Sequence, residues 1–352
     1  MLAVCCRIAQ RQKGRQQIGA SSASVGRANL ALDPGNSVLT SETSSIAPLE
    51  PAAVSGPYGR AALPLPDIVP PVKVRRGLAG FAYRYPAMAV GGGMLLLLIA
   101  IAVLAPFLGT GDPSAIAPAR RNRVPSAEHW FGTDAFGKDI YSRVIYGARI
   151  SLIVGFSVAI LSSAIGLAIG LVSGFIRWAD GIIMRIMDGM MSIPPILLAV
   201  ALMALTRASV ENVVLAITIA EIPRVSRLVR GVVLSLREQP YVDAAIACGT
   251  STPRIILRHI LPNTIAPLTV QATYICASAM ITEVILSFIG AGVPPTIAPS
   301  WGNIMADGRT LWQVKPYIIF FPAVFLSLTV LAVNLLGDGL RDAVDPRMAK
   351  RL

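Results

Sequence analysis

Charge, cysteine and histidine are scarce in this sequence. Only 14% of the 352 residues are charged, whereas a soluble domain contains about 25%, so a solvated surface is hard to build from this chain. Four cysteines and two histidines are too few for a disulfide scaffold or a histidine-based zinc site. With 54% hydrophobic residues and a mean hydropathy of +0.64, the composition instead predicts an integral membrane protein.

Catalytic signatures are also missing from the sequence. Residues 132–138 match the first seven positions of a phosphate-binding loop, but Asp139 stands where a Ser or Thr must hold magnesium. No Ser/His/Asp set and no pair of catalytic carboxylates can be argued from the residues. We therefore expect that the chain is not an enzyme and binds no cofactor or metal itself. Energy for any transport must then come from a partner or from an ion gradient.

What the sequence does contain is a series of apolar runs, and about 20 apolar residues are enough to span a bilayer as a helix. Arg185 and Asp188 interrupt the third run; they lie on one helix face and can pair with each other. The fourth run is short and polar. Together the runs predict an all-α integral membrane protein with six transmembrane helices, at residues 86–108, 150–176, 182–206, 210–234, 265–289 and 317–336.

These runs divide the chain into four regions. Residues 1–76 are rich in Ser, Ala, Gly and Pro and are predicted to form a disordered tail. Residues 77–148 contain the first transmembrane helix and a long loop. Residues 149–341 form a core domain with five transmembrane helices, and residues 342–352 form a second tail.

The distribution of basic residues predicts the orientation. If the N-terminus lies in the cytoplasm and each run crosses once, 22 of the 31 Lys and Arg residues fall on the inner side. An excess of Lys and Arg in cytoplasmic loops is the general rule for membrane proteins. Both termini are therefore predicted to be cytoplasmic. The net charge of +12 is then explained by topology, and we expect no nucleic acid partner.

The segment 236–264 does not resemble a lipid-facing helix. Pro240 suits the first turn of a helix, Gly249 suits the left-handed position that closes one, and Pro253 suits the first turn of a second helix. Pro262 is expected to end that second helix. The alanine-rich and apolar faces of these helices exceed what a free loop needs, so we predict a cytoplasmic hairpin that docks to a partner.

Seven residues of this hairpin form a recognisable motif: Asp243, Ala244, Ala245, Gly249, His259, Leu261 and Pro262. The motif resembles the EAA loop of permeases from ATP-binding-cassette (ABC) importers. Asp243 replaces the usual Glu but keeps its charge, and His259 is typical of the peptide-transport branch. Further stretches, in the same order, resemble C-type permeases of dipeptide and oligopeptide transporters; the resemblance covers about residues 78–346, with matches at 129–152, 192–195, 227–237 and 283–302.

The resemblance implies a type I ABC importer permease fold in the bacterial inner membrane, with residues 149–341 as the core permease domain, the 236–264 segment as the EAA loop and a periplasmic loop within 77–148. It also implies partners: a second homologous permease, two ATP-binding subunits that hold ATP and Mg, a periplasmic solute-binding protein, and membrane lipid. The implied activity is ATP-driven import of peptides by alternating access.

Two features are candidates for the pathway or gate. Glu283 is a carboxylate inside the fifth predicted span, and such residues are functional candidates by default; a hydrogen bond to a neighbouring helix is the structural alternative. Pro194 and Pro195 must kink or unwind the third span, because each ring removes a backbone hydrogen bond. That break is either a hinge in a gate or a static kink.

Alternatives remain for both energy source and substrate. A secondary transporter with an ion site near Glu283 would need no ATPase. Within the resembling family, nickel chelates and glutathione are carried as well as dipeptides and oligopeptides. The resemblance favours peptide but does not select one member of this group.

Overall fold

The computed structural model describes residues 84–344. The predicted tail at 1–76 and most of the predicted tail at 342–352 lie outside the described residues. Within the described range the chain is helical, with no strand and a single isolated bridge between Thr133 and Asp139. The α-helices are α1 (Pro86–Val103), α2 (Ile140–Phe175), α3 (Arg177–Met191), α4 (Pro195–Ala204), α5 (Val210–Arg237), α6 (Pro240–Ala247), α7 (Thr252–Ile255), α8 (Leu261–Ile289), α9 (Trp301–Gly308) and α10 (Tyr317–Val344).

Four helices in the described range are long and apolar enough to cross a membrane: α1, α2, α10 and the continuous helix Thr252–Ile289. The bent pair α3–α4 makes a fifth if it counts as one span. The predicted fourth crossing forms the 28-residue helix α5. Its charged residues, including Arg224, Arg227 and Arg230, keep it below the apolarity of the others. Length and composition therefore support four or five of the six predicted crossings.

Helices α2 and α5 pack closely because glycines of α2 lie directly against valines of α5. A Cβ added to Gly166, Gly170 or Gly174 would lie 2.5–2.7 Å from the Cβ of Val225, Val229 or Val233, respectively. Glycines at every fourth position lie on one helix face, so the two backbones approach along a continuous stripe. The glycines therefore let α2 and α5 pack closely.

The third crossing breaks at Pro194 and Pro195, as expected. Helices α3 and α4 meet at an angle of 85°, with Pro194 as the N-cap of α4 and Pro195 in its first turn. The predicted pairing of Arg185 with Asp188 is wrong. Asp188 accepts a hydrogen bond from Arg227 of α5 at 2.5 Å instead, because α5 packs beside α3 and offers a partner from another helix.

A second ion pair strengthens this contact between α3 and α5. Arg230 donates from Nε and Nη2 to both carboxylate oxygens of Asp180, at 2.5 and 2.6 Å. Two parallel hydrogen bonds of this kind fix orientation as well as distance. The two ion pairs therefore hold α3, the first helix of the broken crossing, against α5.

The stretch that imitates a phosphate-binding loop is a compact turn. Gly132 and Gly137 both adopt positive φ values, +79° and +76°. Asp139 is the N-cap of α2 and accepts hydrogen bonds from the backbone N–H and the hydroxyl of Ser142. The residues that imitate the nucleotide motif thus start a helix.

Candidate functional site

Buried apolar side chains anchor the hairpin formed by α6 and α7 to the rest of the protein. Val242 and Ile260 are fully buried, and Ile255 is 2% exposed. Val242 lies in α6, Ile255 in α7 and Ile260 in the turn Ile256–Ile260 that follows α7; α6 and this turn both contact α5. The hairpin is therefore a packed element with a defined position.

The turn between the two arms has the geometry that its sequence predicts. Gly249 has a φ of +72°, its N–H donates to the carbonyl of Ile246, and the N–H of Thr250 donates to the carbonyl of Ala245. This pair of bonds is a Schellman motif, which closes a helix through a left-handed residue. Pro240 and Pro253 occupy the first turns of their helices, as predicted.

The second arm differs from its prediction, because Pro262 does not end it. Residues Ile256–Ile260 form a π-helical turn that runs directly into α8, so one helix extends over Thr252–Ile289. Proline lacks an N–H and crowds the preceding turn. The wider π turn accommodates that ring, and Pro262 lies in the first turn of α8 without breaking the helix.

The outer face of the hairpin is apolar and exposed. Tyr241, Ile246 and Leu257 are 41%, 52% and 63% exposed. Asp243 and Ala244 are also exposed, while Ala245 is half-buried. Asp243 lies in the first turn of α6, where a negative charge is favourable. Exposed apolar side chains with a charged residue among them are typical of a surface that binds another protein.

The remaining motif residues lie along the second arm. His259 is half-buried, with its ring centroid 6.3 Å from that of Tyr241, and its carbonyl accepts a hydrogen bond from Asn263. Leu261 is half-buried and its carbonyl accepts a hydrogen bond from Thr264, while Pro262 is exposed. All seven predicted motif residues therefore lie within one hairpin and its junction with α8.

A groove that the sequence does not predict lies between four helices of the bundle. Its volume is about 340 Å³, and it is lined by residues from α4, α5, α8 and α10. Pro195, at the break of the third crossing, lines the groove together with Glu221 and Arg224 of α5. The sequence offered one signal, the charges of α5, but it could not show which helices surround them.

Glu221 and Arg224 form an ion pair inside this groove. Arg224 Nη1 lies 3.2 Å from Glu221 Oε2, but the two groups are not oriented for a hydrogen bond. Within the described part of the chain neither atom has a hydrogen-bond partner. The Arg224 guanidinium also lies 5.5 Å from the centroid of the Tyr274 ring, a favourable cation–π position. The ring contact thus holds the pair in place, while Arg224 Nη1 and Glu221 Oε2 still lack hydrogen-bond partners among the described residues.

Glu283, the other predicted pathway residue, is fully buried. Its Oε1 accepts hydrogen bonds from the hydroxyls of Ser287 and Ser300, at 2.9 and 2.8 Å; its Oε2 has no partner among the described residues. Ser300 is the N-cap of α9. In this chain Glu283 therefore connects α8 to the start of α9, while Pro195 and not Glu283 lines the groove.

A polytopic helical bundle with a broken span, a groove that contains an ion pair and an anchored surface hairpin has the features of a transport permease. Residues 164–350 match the profile of the family described as "Binding-protein-dependent transport system inner membrane component". The chain belongs to this family. The resemblance to an ABC importer permease is confirmed, and with it the all-α permease fold. An ion-coupled secondary transporter is not favoured.

Several curated proteins are similar over most of their length. The "Probable peptide ABC transporter permease protein y4tQ" of Sinorhizobium fredii is 54% identical over 270 residues, which is 77% of this chain and 92% of that protein. The "Dipeptide transport system permease protein DppC" of Alkalihalophilus pseudofirmus is 44% identical, covering 74% and 85%. The "Glutathione transport system permease protein GsiD" of Escherichia coli is 40% identical, covering 82% and 97%.

Among solved structures, the chain is similar to a chain of the MetNI methionine ABC transporter in an inward-facing conformation. The TM-score is 0.49 and the sequence identity 21%, over 58% of this chain and 97% of that chain.

Proposed function

We propose that this chain is the transmembrane permease subunit of an ATP-driven importer that moves peptides across the bacterial inner membrane by alternating access. The family description and the names of the relatives support this proposal. Dipeptides and glutathione are both short peptides, so the relatives named for them support the same substrate class. Nickel chelates have no such support.

The proposed assembly contains a second homologous permease, two ATP-binding subunits and a periplasmic solute-binding protein. ATP and Mg are held by the ATP-binding subunits, which hydrolyse the nucleotide. The hairpin docks to one of these subunits through Tyr241, Ile246 and Leu257, and both termini lie in the cytoplasm. The apolar exposure of these three side chains and the distribution of Lys and Arg support this arrangement.

One observation carries the mechanism: the second arm of the hairpin is continuous with a helix that lines the groove. The helix Thr252–Ile289 has 38 residues, so at 1.5 Å per residue it is about 57 Å long. Movement of the hairpin by a closing ATPase is thus transmitted along a single helix to the wall of the groove. No flexible linker separates the docking surface from this wall within the described residues.

The docking surface is tested by placing a charge on it. We expect Leu257→Glu to abolish co-purification of an ATP-binding subunit after extraction in mild detergent, because it places a charge in a desolvated contact. Membrane insertion should be unchanged, since Leu257 is 63% exposed.

The matched control is Val344→Glu, which makes the same kind of change at a residue that is 43% exposed at the end of α10. This variant should retain the ATP-binding subunit. Equal loss in both variants, or normal recovery with Leu257→Glu, would contradict docking through this face.

A further inference from the structure

The groove places polar side chains within helices that are predicted to span the membrane. Glu221 lies about 17 Å along α5 from Val210, at 1.5 Å per residue. Tyr274 and Ser278 lie near the middle of α8, and Asn334 lies in the second half of α10, two residues before the end of the sixth predicted span. All of them line the groove, so the groove holds polar side chains within the predicted membrane-spanning segments.

Asn334 is exposed, although it lies within the sixth predicted span. A polar side chain in a membrane span generally faces a cavity, a water-filled path or another helix and not lipid, because hydrocarbon cannot satisfy its hydrogen bonds. The broken span next to it has the same requirement: backbone freed at Pro194 and Pro195 is tolerated where it lines a cavity. Two independent features therefore indicate that the groove faces a path for solutes.

The charged pair presents its positive member to the groove. The Arg224 side chain is 37% exposed, whereas the Glu221 side chain is 4% exposed. A ligand entering the groove thus meets a guanidinium and the Asn334 amide, both of which donate hydrogen bonds. Arg224 Nη1 itself is buried against Glu221 Oε2, at 3.2 Å, so a ligand meets the more exposed remainder of the Arg224 side chain.

We infer that this groove is a binding site for the transported solute, in which Arg224 and Asn334 receive the α-carboxylate of a peptide. Glu221 and the ring of Tyr274 position the guanidinium. A carboxylate suits Arg224 because the planar guanidinium donates two parallel hydrogen bonds to it. This inference rests on the proposed function, since it names the part of the peptide that the permease itself recognises.

The test compares a short alanine peptide with its C-terminal amide in proteoliposomes that contain the full transporter and its binding protein. ATP-dependent uptake of both peptides is measured for the wild type and for Arg224→Gln. The expected result is a loss of about tenfold or more for the free-acid peptide, as for one charge-assisted hydrogen bond, and little change for the amide. The preference of the binding protein for one peptide does not affect the comparison of wild type with variant, because both use the same binding protein.

Arg227→Gln is the matched control. Arg227 lies one turn farther along α5 and pairs with Asp188, so it tests the loss of a paired arginine outside the groove lining; both peptides should retain their wild-type ratio. Should Arg224→Gln fail to insert, Arg224→Lys and Asn334→Ala are measured in its place, and each should lower the ratio of free-acid to amide uptake about tenfold, the loss of one hydrogen bond to an ionised carboxylate.

Equal losses for both peptides would overturn the inference and leave Arg224 with a structural role. An unchanged ratio in all three groove variants would overturn it as well. If the wild type moves neither peptide with ATP, the proposed function itself fails, and this result is distinct because it does not depend on any variant.

Discussion

Arg143 shows how single residues hold the loop before α2 in place. It is 1% exposed and donates to Asp134 at 2.6 Å and to Asp307 at 2.9 Å. Asp134 is equally buried and accepts two further hydrogen bonds from the backbone N–H groups of Phe136 and Lys138. The arginine therefore joins the turn at 134–138 to α9, far away along the chain.

We expect Arg143→Gln to lower the free energy of unfolding by about 3–5 kcal/mol, because the change leaves a buried carboxylate without its partner. Thermal unfolding of the purified protein in detergent measures the effect.

Arg120→Gln is the control for this change. Arg120 pairs with Glu128 at 3.6 Å with both side chains about half exposed, and a surface ion pair contributes about 1 kcal/mol or less. Similar shifts for the two variants would show that burial of the Arg143 pair does not determine its contribution.

At the scale of secondary-structure elements, the contact between α2 and α5 is the most extensive helix pair in the described chain. Gly170 permits it, because a Cβ added there would lie 2.6 Å from the Cβ of Val229. Small residues let helices in a membrane approach closely, and this approach replaces the hydrophobic driving force that lipid cannot supply. The groove depends on this contact, since α5 carries Glu221 and Arg224.

Gly170→Ala is accordingly expected to destabilise the protein by about 1–3 kcal/mol through overpacking. Gly231→Ala serves as the control, because an added Cβ there has nothing within 4 Å and alanine favours a helix by about 1 kcal/mol. The melting temperature should fall for the first variant and rise slightly for the second. A melting temperature that is unchanged by Gly170→Ala would contradict the close packing.

At the scale of the whole molecule, the proposed orientation places the hairpin in the cytoplasm. Cys248 is exposed in the hairpin, and Cys276 is buried in α8. In a Cys5→Ser/Cys6→Ser background, a membrane-impermeant maleimide should label Cys248 in inverted vesicles washed free of peripheral subunits. Intact right-side-out vesicles should stay unlabelled, because the reagent cannot reach the inner face.

Trp130→Cys provides the opposite reporter, because Trp130 is 61% exposed in the long loop before α2. With Cys248 replaced by Ser, this variant should be labelled in right-side-out vesicles. Labelling of Cys248 from the outside would reverse the proposed orientation of the chain.

The sequence predicted those parts of the site that depend on local geometry. Gly249 and Pro240 have the roles expected of them, since helix ends are decided by residues within one or two turns. The prediction that Pro262 ends a helix is wrong, because a proline stops a helix only where the backbone cannot adjust. Here the π turn before it makes room for the ring. The partner of Asp188 was also misread, because α5 is remote in the sequence.

The sequence by itself determined that this protein is a helical membrane protein with an anchored hairpin, because apolar runs, prolines and one glycine act over short stretches of chain. Its motif also determined the family. Only the tertiary structure decided where the groove lies, because α4, α5, α8 and α10 must surround it. The burial and the hydrogen bonding of Glu221 and Arg224 depend on residues from other helices, and these residues come together only in the folded chain.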